Sequence, residues 1–512
     1  MGRQSLLLAV LLAGCSNTVW QAELRRPRER GGLDHEAPFL KVHTRAGHVF
    51  ALASWSVDEA RREVRGDGIH YDLNRAVIDR GPQRVPLDDV AILETNRPRS
   101  VVNTGAVVLG VVTGLSLGVN VFCAVNTKAC YGSCPTFYAD DGGALALQAE
   151  GFSGAVAPAL EETDVDAMRG ARAVAGRVAV EMRNEALETH VVRSVRLLAV
   201  PRVGGRRVVR AGGSFYAVRA QVAPTGCAGR DRDCAESVAA EDGLEDAPRV
   251  DPTDLGAQES IDLHFPAGEG PRGLVVTARN SLAGTFVFYQ FLAWLGRDAG
   301  AFFASLDGGA PDGRRVLDAM RVGADHARIR VEARAPGGPW LPAGDYAELG
   351  PIARETQVVP LPAALPDGTV DVRLTLTRGF WKLDALALAS LDAAPAPVRL
   401  EPSRVLRRGA DVPDALARLR APGVGLVTYP GDVYTLVYDV ADLGDAELFL
   451  ESRGYYLEWI RESWLPEQSA AAAARFLDDP RGALRALAPA FARVEPEVEA
   501  QFASTRVGER AW

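Results

Sequence analysis

Short runs of alternating apolar and polar residues fill most of the chain, separated by breaks rich in glycine, proline and aspartate. That period of two predicts strands, so the expected fold class is mainly β, built as several small modules. Residues 37–98 read as a small barrel-like β domain. FLKVHTRAGHVFALASWSV predicts two strands around a turn at Arg45-Ala46-Gly47, and VPLDDVAILE predicts a closing strand. Gly66-Asp67-Gly68 and Asp79-Arg80-Gly81-Pro82 predict further turns. Residues 99–126 break the pattern: the stretch 101–125 is apolar, glycine-rich and uncharged, and long enough as a helix to cross a bilayer. Gly110, Gly114 and Gly118 keep the four-residue spacing that lets helices approach closely. Residues 127–170 predict a hairpin turning at Asp140-Asp141-Gly142-Gly143. A β-rich domain is expected over 171–290, a further β module over 291–392 and another over 393–465. Val372-Arg373-Leu374-Thr375-Leu376 alternates strictly. TFVFYQFLAWL fits either a strand or a helix. Residues 466–512 predict a helical tail broken at Pro480 and Pro489, with Phe476, Leu477, Leu484, Leu487 and Phe491 available to a core.

The N-terminus adds a location. Arg3, the brief apolar run from Leu6 and the sequence Leu12-Ala13-Gly14-Cys15 resemble the signal peptide and lipobox of a bacterial lipoprotein, residues 1–15. That resemblance implies cleavage before Cys15, a lipid on its sulfur and, with Ser16 next, the outer membrane. Residues 16–36 then read as an arginine-rich tether. An anchor outside the inner membrane conflicts with a single crossing at 101–125, which would carry all later residues into the cytoplasm. A membrane-associated or protein-buried apolar helix is therefore expected there. The net charge of -9 offers no basic excess, so nucleic acid is not an expected partner. The expected partners are the membrane, through the N-terminal lipid and residues 101–125, and an envelope protein or glycan.

Export makes disulfides plausible for the cysteines beyond Cys15. Cys227 and Cys234 are expected to clip the loop TGCAGRDRDCAE. Cys130 and Cys134 are expected to pair, leaving Cys123 over, although Cys123 with either of them is an open alternative. The run Cys130-Tyr131-Gly132-Ser133-Cys134-Pro135-Thr136-Phe137-Tyr138 resembles a motif of uncharacterised bacterial lipoproteins. That likeness implies an exported, anchored protein and carries no activity. The strands of 327–390, ending at Phe380-Trp381 before Leu383-Asp384, resemble the last half of a galactose-binding-like jelly roll. Trp340, Tyr346, Phe380, Trp381 and Asp384 are accordingly the candidate ligand surface, with aromatic faces for sugar rings and carboxylates for hydroxyls.

No phosphate loop of the Gly-Lys-Ser/Thr type occurs. His43 and His48 flank a turn without a third ligand nearby, and His190 sits beside Glu185 and Glu188 in a strand-like run, so neither predicts a metal site. No cofactor is expected. The expectation is a lipid-anchored envelope protein that binds or scaffolds and is not an enzyme. The alternative is an envelope thiol-redox or hydrolytic enzyme whose site has no motif.

Overall fold

The computed structural model describes residues 17–27, 33–34, 37–101, 134–307 and 326–504. Cys15, Cys123, Cys130 and the apolar stretch from 102 onward lie outside the described residues, so the expectations placed on them are not addressed by this structure. The chain is mostly β, with several sheets and a C-terminal helix. Among the described residues, no helix is long and apolar enough to cross a membrane.

The N-terminal sheet has six antiparallel strands in the order Asn17–Arg25, Val90–Val101, Leu40–Thr44, Val49–Asp58, Glu63–Tyr71 and Val77–Pro86. Leu40, Val42, Leu52, Val64, Val85 and Leu93 bury one face. The turn at Arg45-Ala46-Gly47 forms as expected, with Gly47 at φ 93°. Three expectations fail, the first being the turn at Asp79-Arg80-Gly81-Pro82, which lies inside the strand Val77–Pro86. Residues 17–25 are not tether but an edge strand in continuous register with the strand at 93–101. Gly66 and Gly68 do not turn the chain. They lie inside the strand Glu63–Tyr71, where a Cβ would fall 2.4 Å from the Ser54 carbonyl oxygen and 2.0 Å from that of Ala51. These glycines mark a close backbone approach beside a bulge at Leu52/Ser54.

The remaining strands form two double-sheet modules, and the second is inserted within the first. The outer module pairs Arg177–Arg183 with Val433–Asp439 and Glu188–Pro201 with Ala446–Glu458. Its two sheets share one core, with the Tyr438 hydroxyl of one donating to the Val195 carbonyl of the other at 3.0 Å. The hairpin Thr136–Asp140/Leu145–Glu150 forms around the expected turn and becomes the edge of this module. The inner module spans 208–393. It faces a closed set of strands (Val208–Ala211, Ser214–Val222, Trp381–Ala393, Arg272–Asn280, Glu355–Pro360) against a sheet of five. The boundary expected near 290 therefore cuts across a real pairing, because Arg272–Asn280 is bonded to Trp381–Ala393, whereas the one near 392 falls at the end of the inner module.

TFVFYQFLAWL is helical, within Leu282–Leu295, and Ser281 caps it by accepting from the Ala283 amide. The tail helices Ala470–Asp478 and Pro480–Ser504 pack on it through Phe291–Phe476 and Phe286–Phe491 ring contacts of 4.8 and 4.9 Å. Leu484, Leu487 and Phe491 are buried as expected. Pro489 does not break the chain and lies within the second helix.

The Cys227–Cys234 disulfide forms, with Cα atoms 5.1 Å apart. Cys134 carries a free, buried thiol, and the partner expected for it, Cys130, lies outside the described residues. Replacing both Cys227 and Cys234 by serine is expected to cost about 2–4 kcal/mol, because the bridge holds the loop closed in the unfolded chain. Thermal midpoints of the two proteins in non-reducing buffer check this, and equal midpoints would show the bridge to be structurally idle.

Candidate functional site

The aromatic face anticipated on the inner module does not exist. Tyr346 and Trp381 are 0% and 1% exposed and meet edge to face at 5.5 Å. The Tyr346 hydroxyl donates to the Ala278 and Glu355 carbonyls, at 3.1 and 3.0 Å, and so holds the two sheets together. Phe380 is also buried. Large rings on strands between two sheets gain most by filling the core, and these do. Trp340 alone is partly open, but its ring lies between Arg334 and Arg373, whose guanidiniums stand 4.3 and 4.4 Å from its centroid. Asp384 has a different fate and lines a cleft.

That cleft, of about 680 Å³, lies where the outer and inner modules meet. Gln148, Arg169 and Glu447 reach it from the outer module, Arg202 and Arg207 from the crossing segment, and Glu241, Thr277, Arg354 and Asp384 from the inner module. Its side chains hold one another in place. Glu241 accepts from Arg169, from Arg207 at 3.1 Å and from the Thr277 hydroxyl at 2.9 Å. Arg169 also donates to Thr356 at 2.7 Å. Glu447 accepts from Arg202 and from the Val208 amide, each at 3.1 Å. Asp384 accepts from the Gly243 amide at 2.8 Å and faces Arg354 at 3.4 Å.

Two carboxyls here are pushed in opposite directions. Burial raises Asp384, and the neighbouring Arg354 only partly offsets it. Burial also works to raise Glu241, but Arg169 and Arg207 outweigh it and hold that carboxyl below its ordinary range. Crowding by burial and by Arg169 lowers Arg207. Among the described residues, no aromatic ring lines the cleft. Four arginines, three carboxylates, an amide and a hydroxyl give it polar recognition chemistry without a stacking platform.

The sequence offered no signal for the arginines. Arg169, Arg202, Arg207 and Arg354 are far apart along the chain, and only the Arg202–Arg207 stretch, with two glycines among three arginines, stands out locally. The histidines separate as well. His43 is buried, bonded to Glu94 at 2.9 Å and stacked 3.8 Å from Trp459, and burial lowers its pKa to about 4. His48 instead meets His70. His190 is fully buried inside its strand, with Glu188 at 3.7 Å. Burial pushes the Cys134 thiol well up, away from the thiolate that redox chemistry needs. Among the described residues, no group of three or more histidines, cysteines and carboxylates is arranged to hold a metal ion.

No protein-family model matches the chain, and no curated protein matches it. Among solved structures, a β-porphyranase of glycoside hydrolase family 86 from the human gut bacterium Bacteroides plebeius aligns at 10% identity and a TM-score of 0.15, over 45% of this chain and 37% of that one. An exo-β-1,3-galactanase from Phanerochaete chrysosporium aligns at 7% identity and a TM-score of 0.15, over 67% of this chain and 65% of that one. Likeness at this level carries no argument about what the chain does.

Proposed function

We propose that the protein is an exported, lipid-anchored binding protein of the bacterial envelope, and that the cleft between its modules takes an acidic glycan. The observation that carries the binding role is the cleft itself: four arginines around an open polar hollow with no aromatic wall. Neutral sugars are commonly held on aromatic faces, whereas arginine forks pair with carboxylates. A uronate-bearing oligosaccharide fits this lining better than a neutral one.

Anchoring is supported by the Leu-Ala-Gly-Cys sequence and by strand register. Asn17, two residues after Cys15, pairs with Val101, where the apolar stretch begins. The described chain thus begins and breaks off at neighbouring positions of one sheet edge, Asn17 and Val101.

The binding test compares uronate-bearing and neutral oligosaccharides by calorimetry. The acidic ligand should bind, and Arg202→Ala with Arg354→Ala should weaken it roughly tenfold or more, as expected for lost charged hydrogen bonds. No acidic-glycan binding, or variants that bind like the parent, would sink the reading. In cells, Cys15→Ser should abolish fatty-acid incorporation and release the protein from its tight membrane attachment. A second reading, hydrolysis in the same cleft, is favoured by one observation: Asp384 is held up while Glu241 is held down, as an acid and a base are. New reducing ends on incubation with the same oligosaccharides, lost in Asp384→Asn, would select it.

A further inference from the structure

A second hollow, of about 480 Å³, opens on the N-terminal sheet, away from the cleft between the modules. Arg45, His48, His70, Arg84 and Arg418 converge on it, with Asp89 the single carboxylate in its lining. Folded proteins usually pair converging arginines with carboxylates, and two of these are left unmatched. Among the described residues, the Arg45 side chain donates only to the Asp88 backbone carbonyl, at 3.1 Å, and Arg84 makes no ion pair. Arg418 is drawn to Asp414 of its own helix at 2.9 Å.

The histidines add donors and a rigid wall. His48 Nδ1 lies 2.9 Å from His70 Nε2, so one ring donates to the other, and the His70 ring stacks on Phe50 at 4.0 Å and 10°. The far nitrogen of His70 faces Asp79 at 3.4 Å. Burial and the facing His70 ring lower the His48 pKa, and Asp72 and Arg75 act on it in opposite senses. Burial thus favours the neutral His48 ring, and the hydrogen bond to His70 fixes the two rings against each other. With Arg418 paired to Asp414, Arg45 and Arg84 stand against Asp89 and leave the hollow an excess of one positive charge, which suits an anion.

We propose that this hollow is a phosphate-binding site that seats a phosphate monoester, carried either by a lipid headgroup or by a soluble ester. Arginine supplies the forked donors, and the His48–His70 pair closes one wall. The site lies on the module that carries the N-terminal strand, and it is independent of the glycan cleft.

The test uses the full chain with Cys15→Ser, so that no acyl chain contributes to membrane binding. With histidine-labelled protein, inorganic phosphate should move the His48 and His70 ring resonances saturably. Arg45→Ala with Arg84→Ala should weaken that response by roughly a hundredfold, about tenfold for each charged partner lost. Both arginines are exposed, so the double variant should keep the parent's thermal midpoint. Vesicles containing phosphatidic acid, against phosphatidylcholine alone, separate the two sources. Retention on phosphatidic acid that the double variant loses assigns a lipid headgroup, and a response to phosphate without such retention assigns a soluble ester. No response to either probe, or the same response in the double variant, overturns the proposal.

Discussion

Raising the pH above about 6.5 is expected to destabilise the protein, and Glu150→Gln is expected to remove part of that loss. Carboxyl groups stitch the two modules together at their joint. Glu150 of the outer module accepts the Ile352 and Ala353 amides of the inner module, at 2.8 and 3.2 Å. Glu355 of the inner module accepts the Ala167 amide of the outer one at 3.1 Å. Burial pushes Glu150, Glu162 and Glu355 up to about 7, and raises Asp164, Asp166 and Glu348 as well. Arg210 offsets part of this for Asp164, Asp166 and Glu355, and Arg169 for Glu355.

The sign follows from the direction of the shifts. A carboxyl raised in the folded state binds its proton more tightly there than in the unfolded chain. Its stabilising contribution is whole below the unfolded value, near 4, and is lost as the pH rises through about 7. Each pKa unit is worth about 1.4 kcal/mol, so a glutamate moved from its ordinary value to about 7 costs on the order of 3 kcal/mol once it is forced to ionise. His43 acts in the opposite sense. Burial depresses it to about 4, so its contribution grows with pH, but only until the unfolded histidine has lost its proton near 6.5. Above that point the raised carboxyls act without this opposition. Thermal midpoints at constant ionic strength should therefore fall between about pH 6.5 and 8.5. Glu150→Gln keeps an oxygen for the two amides and cannot ionise, so it should match the parent near pH 4 and exceed it increasingly as the pH rises through about 7. A flat profile over this range, or a variant that falls as steeply as the parent, would refute the assignment.

Local features of this fold were legible because they are decided within a few residues. The hairpin at Asp140-Asp141-Gly142-Gly143 is fixed by aspartate side chains that accept the following amides, Asp140 from Gly142 at 2.7 Å and Asp141 from Gly143 at 3.0 Å. The Cys227–Cys234 clip closes over a short loop. Nothing local shows that the strand at 177–183 pairs with one at 433–439, so the nested modules read as a row of consecutive ones. Burial was equally hidden: Trp381 and Trp340 look alike as residues, yet one fills the core and the other lies between two arginines on an outer face. Asp384, named for its neighbours' sake, reached the cleft while the aromatics beside it turned inward.

Arg461→Met is expected to cost about 3–5 kcal/mol, the usual penalty for breaking one side of a buried ion pair, and Glu458→Gln in the same chain should restore much of it. Arg461 and Glu458 have side chains 3% exposed and bond to each other just past the end of the strand Ala446–Glu458. The guanidinium also donates to the Trp459 carbonyl at 2.6 Å and lies 4.5 Å from the Trp464 ring and 5.6 Å from that of Tyr289. Tyr289, on the helix Leu282–Leu295, donates its hydroxyl to Glu458. One ion pair therefore ties the helical layer to the outer module. Burial drives Glu458 up to about 7 even with Arg461 beside it, so removing the arginine leaves a carboxyl that must either stay protonated or ionise without its main cation. Glutamine at 458 takes that charge away and still accepts from Tyr289. The double variant should therefore unfold at a denaturant concentration between those of the parent and Arg461→Met, and closer to the parent. A loss below about 1 kcal/mol in Arg461→Met would show that the pair does not hold the layers together.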